Sequence, residues 1–265
     1  MKNVKINFII PNFITSMNML FGFMSIITAI RGEFLVSAWL LIFAIVADGI
    51  DGKAARLLNG FSEFGKELDS FSDALSFGMA PAILVYTILI RETAFKEYVV
   101  LCVSFLFVLS AILRLARFNI TTVVSKEKGD FCGMPTPTAA GLISSYIIFS
   151  YALKELSAHQ IISFDVLNNQ IIQLMLPDMT GQVLIFPMFF LVLVIGNTLF
   201  MVSNITYKSI GKTFGLKNGI AGVIFILCLV IFNKYILFPA GFTYFLINNI
   251  KFIMSLAKRK DEPAE

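Results

Sequence analysis

The chain is 265 residues long, 57% hydrophobic and only 14% charged, with 28 Phe and a mean hydropathy of +0.83. A water-soluble domain of this length does not carry such a composition, so the sequence is read as an integral membrane protein. Its formal charge of +4 comes from basic residues scattered between apolar runs, with no dense stripe, which excludes nucleic acid as a partner and favours cytoplasmic loops.

Predominantly apolar runs of about 17–25 residues mark helices that cross a bilayer. Eight are predicted, at residues 12–30, 34–50, 72–90, 98–116, 134–153, 181–203, 216–233 and 235–254. The first is long, rich in Asn and Thr and followed by no small-residue cleavage site, so it is expected to be retained. Of the 21 Lys and Arg, only Arg31, Arg91, Lys96, Lys154 and Lys234 fall on one side of these spans. The excess on the other side predicts that both termini and residues 48–73 are cytoplasmic. The expected organisation is one membrane domain over residues 1–255 and a cytoplasmic basic and polar tail over 256–265, anchored at anionic lipid.

Cys102, Cys132 and Cys228 lie in or beside apolar runs, without the close pairing of a zinc ribbon or a disulfide framework, and are expected to be small buried hydrophobes. His159, the sole histidine, sits in a polar connection, where no Ser-His-Asp or His-metal chemistry can be assembled around it. Catalysis, if present, falls to other groups.

One stretch breaks the apolar character: "DGIDGKAARLLNGFSEFGKELDSFSD", residues 48–73. If the second helix continues through residue 57, Asp48, Asp51 or Gly52, Ala55 and Arg56 fall near one face. Asn59, Gly60 and Gly65 are expected to break it, after which Asp69 and Asp73 stand at i and i+4 where the third span begins. A helix, a turn and a returning helix then gather four carboxylates at one membrane boundary. Taken singly, such acids are also what loop or snorkelling charges look like. Gathered, they repel one another unless cations neutralise them, and oxygen donors with no His or Cys suit Mg²⁺ or Mn²⁺. Gly49, Gly52 and Ala55 leave room for a phosphorylated ligand, and Arg56 can pair with a phosphate. Lys53, Glu63, Lys66 and Glu67 read as a solvated face.

The ordered array D-x2-D-G-x2-A-R-x8-G-x3-D-x3-D is met without deviation at Asp48, Asp51, Gly52, Ala55, Arg56, Gly65, Asp69 and Asp73. It resembles the signature of the CDP-alcohol phosphatidyltransferases, integral membrane enzymes that displace CMP from a CDP-linked lipid with an alcohol. The resemblance implies an all-α bundle of about eight transmembrane helices with a cytoplasm-facing active site. It implies that Asp48, Asp51, Asp69 and Asp73 ligate a pair of divalent ions, Mg²⁺ or Mn²⁺, with Asp73 also the general base. Gly52, Ala55, Arg56 and Gly65 would then accommodate the cytidine diphosphate of the CDP-lipid.

The segments "PNFITSMNMLFG" (11–22), "LDSFSDALSFGMAPA" (68–82), "RLARFN" (114–119), "DFCGMPTPTAAG" (130–141) and "MVSNITYKS" (201–209) together resemble the phosphatidylserine synthases of the CDP-diacylglycerol-serine type. That resemblance implies CDP-diacylglycerol and L-serine as substrates, phosphatidylserine and CMP as products, membrane lipids as neighbours, a homodimer, and a bacterial or archaeal cell membrane. Arg114 and Arg117 are candidates for holding the serine carboxylate or a lipid phosphate, beside a positive-inside anchoring role. Asn12, Thr15 and Asn18 share one face of the first span and can hydrogen-bond the cytidine or a neighbouring helix. The prolines of "GMPTPTAAG" predict an extended lead into the fifth span, followed by close packing of small residues.

Three other readings stay open at this point. The same chemistry can take glycerol 3-phosphate or an inositol phosphate as acceptor, which would call for a richer basic pocket, or an ether lipid as donor. An ion-coupled transporter would spread its acids along a path through the bilayer. An assembly protein would tolerate loss of the acids.

Overall fold

The computed structural model describes residues 6–58, 60, 62–124, 131–158, 184–203, 205–207 and 233–260. Seven helices occupy them: α1 (Ile6–Arg31), α2 (Phe34–Leu57), α3 (Glu63–Glu92), α4 (Glu97–Val124), α5 (Thr136–Ala158), α6 (Pro187–Val202) and α7 (Asn233–Lys260). A two-residue antiparallel bridge, β1 (Phe131–Cys132) with β2 (Thr206–Tyr207), is the one departure from an all-helical architecture among the described residues. The helices α1 to α4 are long and apolar enough to cross a membrane. The predicted run at 216–233 lies, but for Asn233, outside the described residues, as do Cys228 and His159.

The helix limits differ from the expected spans at their polar ends, because hydropathy marks the lipid-facing part of a helix and not its last turns. Thus α2 runs on to Leu57 through Ala54, Ala55 and Arg56, all strong helix formers. The third helix begins at Glu63, well ahead of the expected residue 72, because Ser62 caps it: its Oγ accepts the Gly65 N–H at 2.9 Å. Gly65, expected in the break, therefore sits in the first turn of α3. Cys102, expected to be buried, is exposed on the outer face of α4, where an apolar thiol suits lipid as well as a protein core.

Two local devices set the helix pairings. The α1–α2 hairpin ends α1 in a Schellman turn, with Gly32 at φ 88 and N–H bonds from Gly32 to Ala29 O (3.0 Å) and from Glu33 to Thr28 O (2.9 Å). Arg91 Nη2 reaches from the end of α3 to Ile30 O at 2.6 Å. At "GMPTPTAAG", Gly133 has φ 79, the Gly133 N–H donates to Ile205 O (2.8 Å) and the Met134 N–H to Phe200 O (3.0 Å). Buried Ala139 and Ala140 follow in α5, so the small-residue packing is present, while Pro137, expected in the lead, falls in the first turn of α5.

The seam between α1 and α3 positions everything that follows. Ser72 Oγ donates to Thr15 O at 3.2 Å and Ser76 Oγ to Asn18 O at 3.0 Å, so the two helices run in the same direction with their backbones close. Gly22 permits this approach: a Cβ there would stand 2.7 Å from Ser76 Cα. One turn further along α1, Ser25 shares a 2.8 Å hydroxyl bond with Ser37 of α2. Small and hydroxylated residues are what bring membrane helices into contact when apolar burial offers little driving force between them. The apolar core, with Leu41, Leu84, Ile88, Phe107, Ile143 and Phe190 among its buried members, fills the remainder.

Replacing Gly22 by Ile is expected to destabilise the fold by about 1–3 kcal/mol through overpacking, read as a lower midpoint of thermal unfolding in detergent. Gly49→Ala, at a position with nothing within 4 Å of the added Cβ, is expected to leave the midpoint unchanged or raise it.

Candidate active site

Asp48 and Asp51 lie in the last three turns of α2, and Asp69 and Asp73 in the second and third turns of α3. The break at 58–62 folds these ends toward each other. One carboxylate oxygen from each of Asp48, Asp51 and Asp69 lies within 4.8 Å of the other two. Asp73 stands within electrostatic reach of all three, and of the Arg114 guanidinium. Asp51 is buried, and its Oδ2 and the Oδ1 of Asp73 have no hydrogen-bond partner among the described residues. Asp73 is the last residue before a π-helical turn, Ala74–Met79, a widening of the helix that recurs at functional sites and that no sequence signal announces.

Beside the carboxylates a cavity of about 590 Å³ opens between α1, α2 and α3, closed on its fourth side by Phe118 of α4. Asp51 and Asp69 face it, with Gly52 and Ala55 from α2, Asn12 and Thr15 from α1, and Gly65 and Lys66 from α3. Asp48 and Asp73 do not line it. The two glycines of the array have different roles. A Cβ on Gly52 would meet only Arg56 Nη2, at 3.9 Å, so the absence of a side chain there widens the cavity. A Cβ on Gly65 would stand 2.8 Å from Asn12 Oδ1 and 3.0 Å from Ser62 Oγ, so Gly65 lets α1 approach α3. Arg56 folds back along its own helix, Nε donating to Gly52 O at 2.8 Å, which holds its guanidinium beside a residue that lines the cavity.

The remaining candidates divide. Arg114 is 7% exposed and its Nη1 donates to Thr136 Oγ1 at 3.2 Å, deep in the bundle and within reach of Asp73. Arg117 Nη1 and Nη2 donate to Val202 O and Ser203 O, each at 3.2 Å, tying α4 to the last turn of α6. Of the first-span face, Asn12 and Thr15 line the cavity. Asn18 is fully buried, and neither side-chain polar atom has a partner among the described residues. Sequence reasoning missed Gly22, Ser72 and Ser76, whose role is visible only once α1 and α3 are paired, and Asn119, whose Nδ2 donates to Ser70 Oγ at 3.0 Å and docks α4 on α3.

The donor set fits a hard divalent cation. Its atoms are all carboxylate oxygens, and oxygens sharing one Mg²⁺ at about 2.1 Å stand at most about 4.2 Å apart. The three-aspartate group is close to that spacing, and the unpartnered oxygen of Asp51 is one that a cation would satisfy.

Residues 8–175 match the protein family described as CDP-alcohol phosphatidyltransferase. A CDP-diacylglycerol–serine O-phosphatidyltransferase of Helicobacter pylori (strain ATCC 700392 / 26695) is 38% identical over 136 residues, 51% of this chain and 56% of that relative. The archaetidylserine synthase of Methanothermobacter thermautotrophicus is 38% identical over 151 residues, 56% of this chain and 61% of the relative. The CDP-diacylglycerol–serine O-phosphatidyltransferase of Bacillus subtilis (strain 168) is 36% identical over 143 residues, 54% of this chain and 76% of the relative. The matched part thus spans little more than half the length of the first two.

Titration of the purified protein with Mn²⁺, followed by electron paramagnetic resonance, is expected to show saturable binding. Asp51→Asn is expected to weaken it by about tenfold or more, in line with loss of one charged ligand. Equal affinity in wild type and variant would remove Asp51 from the donor set.

Proposed function

The chain belongs to the CDP-alcohol phosphatidyltransferase family, and from that premise we propose that it transfers the phosphatidyl group of CDP-diacylglycerol to the hydroxyl of L-serine. The observation that carries this reading is the Asp48–Asp51–Asp69 group beside a cavity that Gly52 keeps wide. The serine acceptor is supported by the relatives, which are serine O-phosphatidyltransferases, and by Arg114, a buried cation within reach of Asp73.

In the proposed mechanism Gly52 and Ala55 admit the cytidine diphosphate, and Arg56 supplies a cation to its phosphates. Asp48, Asp51 and Asp69, with Asp73, would hold Mg²⁺ or Mn²⁺, which when bound neutralises the diphosphate and stabilises the departing CMP. Asp73 takes the proton of the serine hydroxyl. The serine oxygen then forms a bond to the diacylglycerol-linked phosphorus as the bond from that phosphorus to the CMP oxygen breaks. CMP leaves with the electron pair, and the proton passes from Asp73 to solvent. The array has no Ser, Cys or His nucleophile, so direct attack with inversion at phosphorus is the proposed course. Acyl chains remain in the bilayer, serine arrives from the cytoplasm, and the protein acts as a homodimer in a cell membrane with both termini cytoplasmic.

Two alternatives bear on this reading. The archaetidylserine synthase relative favours a test of an ether-linked donor, which leaves the head-group chemistry unchanged. Against a transporter stands the grouping of all four aspartates at neighbouring helix ends, where a relay would distribute them through the bilayer.

Purified protein supplied with CDP-diacylglycerol, Mg²⁺ or Mn²⁺ and a panel of alcohols is expected to release CMP with L-serine and to form phosphatidylserine. Asp73→Asn is expected to lower kcat by about 10²–10⁴-fold, the range for loss of a general base. CMP release with glycerol 3-phosphate and none with serine would overturn the acceptor assignment, and full activity of Asp69→Asn would overturn the metal-site assignment.

A further inference from the structure

Four hydrogen bonds fix where α4, α5 and α6 meet. Arg117 ties α4 to Val202 and Ser203 at the end of α6. The Met134 N–H, leading into α5, donates to Phe200 O at 3.0 Å, so Thr136 starts α5 against the last turn of α6. Arg114, one turn back from Arg117, reaches Thr136 Oγ1 at 3.2 Å. One turn back along α6 from Met201, on the face that buries Phe190, Val194 and Met201, stands Asn197. The bonds that seat Thr136 beside Phe200 and Arg114 on Thr136 therefore place Arg114 and Asn197 within about one helical turn of the same level of the bundle.

Asn197 is 0% exposed. Neither its Oδ1 nor its Nδ2 has a hydrogen-bond partner among the described residues. A helix that buries a carboxamide with both ends unsatisfied bears a cost that an aliphatic side chain would avoid. A bound ligand that hydrogen-bonds both ends of the amide would offset that cost.

We propose that Asn197 is a specificity-determining residue of the acceptor subsite, recognising the zwitterionic amino-acid group of the alcohol. The inference rests on the serine reading above and adds a residue to it. With the acceptor hydroxyl at Asp73, and Asp73 within electrostatic reach of Arg114, the acceptor carboxylate falls to the Arg114 guanidinium. The Asn197 amide offers a donor and an acceptor together: Nδ2 for a carboxylate oxygen and Oδ1 for the ammonium. A neutral amide suits a zwitterion. It is a poor match for an acceptor that carries a second phosphate, which calls for another cation.

The test is steady-state CMP release by the purified full-length protein with L-serine and CDP-diacylglycerol varied independently. Asn197→Leu, close to the original in volume, is expected to raise KM for L-serine by about tenfold or more, as loss of charge-assisted hydrogen bonds does. It is expected to leave KM for CDP-diacylglycerol within about twofold and the thermal midpoint unchanged or raised, since the unsatisfied amide is removed. Asn197→Gln, which keeps the amide, is expected to recover part of the serine affinity. The smaller Asn197→Ser reads the same ratio of KM values should the Leu variant fold poorly. An unchanged serine KM in Asn197→Leu, or equal rises in both KM values, overturns the inference while leaving the serine reading in place. A wild-type protein that uses no serine overturns both.

Discussion

Three carboxylate oxygens within 4.8 Å of one another impose the constraint on which the rest of the structure depends. At an effective dielectric of about 20, two such charges repel by about 3 kcal/mol. The arrangement persists because α2 and α3 are each held in place by contacts remote from the charges. The Schellman turn at Gly32 and the Ser25–Ser37 bond fix α1 to α2. The Ser72–Thr15 and Ser76–Asn18 bonds, with Gly22 allowing the backbones to close, fix α1 to α3. The first helix thus carries no acid of the group and yet determines where the acids meet.

That division explains the distribution of chemistry along the chain. The helices are apolar over most of their length and polar in their last turns around the break at 58–62, so charge concentrates where two helix ends meet. The cavity beside the acids is walled by glycine, alanine and the polar face of α1. A CDP-lipid matches such a place by its own polarity, with a charged diphosphate at one end and acyl chains that need no protein core. The α4–α5–α6 junction, held by Arg117 and the Met134 bond, supplies Arg114 from the opposite side. On the proposed reading, a donor side and an acceptor side would be built from different helices and converge at Asp73.

The helical architecture and the meeting of Asp48, Asp51 and Asp69 were legible in the sequence, because they follow from hydropathy period and from i, i+3 and i, i+4 spacing. Helix ends were not. Hydropathy stops where the polar turns begin, which placed the start of α3 late and assigned Gly65 to the break when Ser62 caps the helix ahead of it. Cys102 was misread because a membrane protein can present an apolar residue outward, so hydrophobicity does not imply burial. The serine bonds across the α1–α3 seam, the π-helical turn after Asp73 and the burial of Asn197 depend on which helices touch, and no single-helix pattern encodes that. Arg117 illustrates the same limit: an arginine at a helix end reads equally as anchor or ligand, and only the fold assigns its guanidinium to the carbonyls of Val202 and Ser203.

The central claim is that the aspartate group is a divalent-metal site at which a CDP-lipid reacts. Its most direct test is diffraction from crystals grown with Mn²⁺ and a CDP-lipid, with anomalous difference maps at the manganese edge. The account predicts anomalous density among Asp48, Asp51 and Asp69, with the diphosphate in the cavity bounded by Gly52 and Ala55. A bound diphosphate elsewhere, or anomalous density away from these carboxylates, would contradict it.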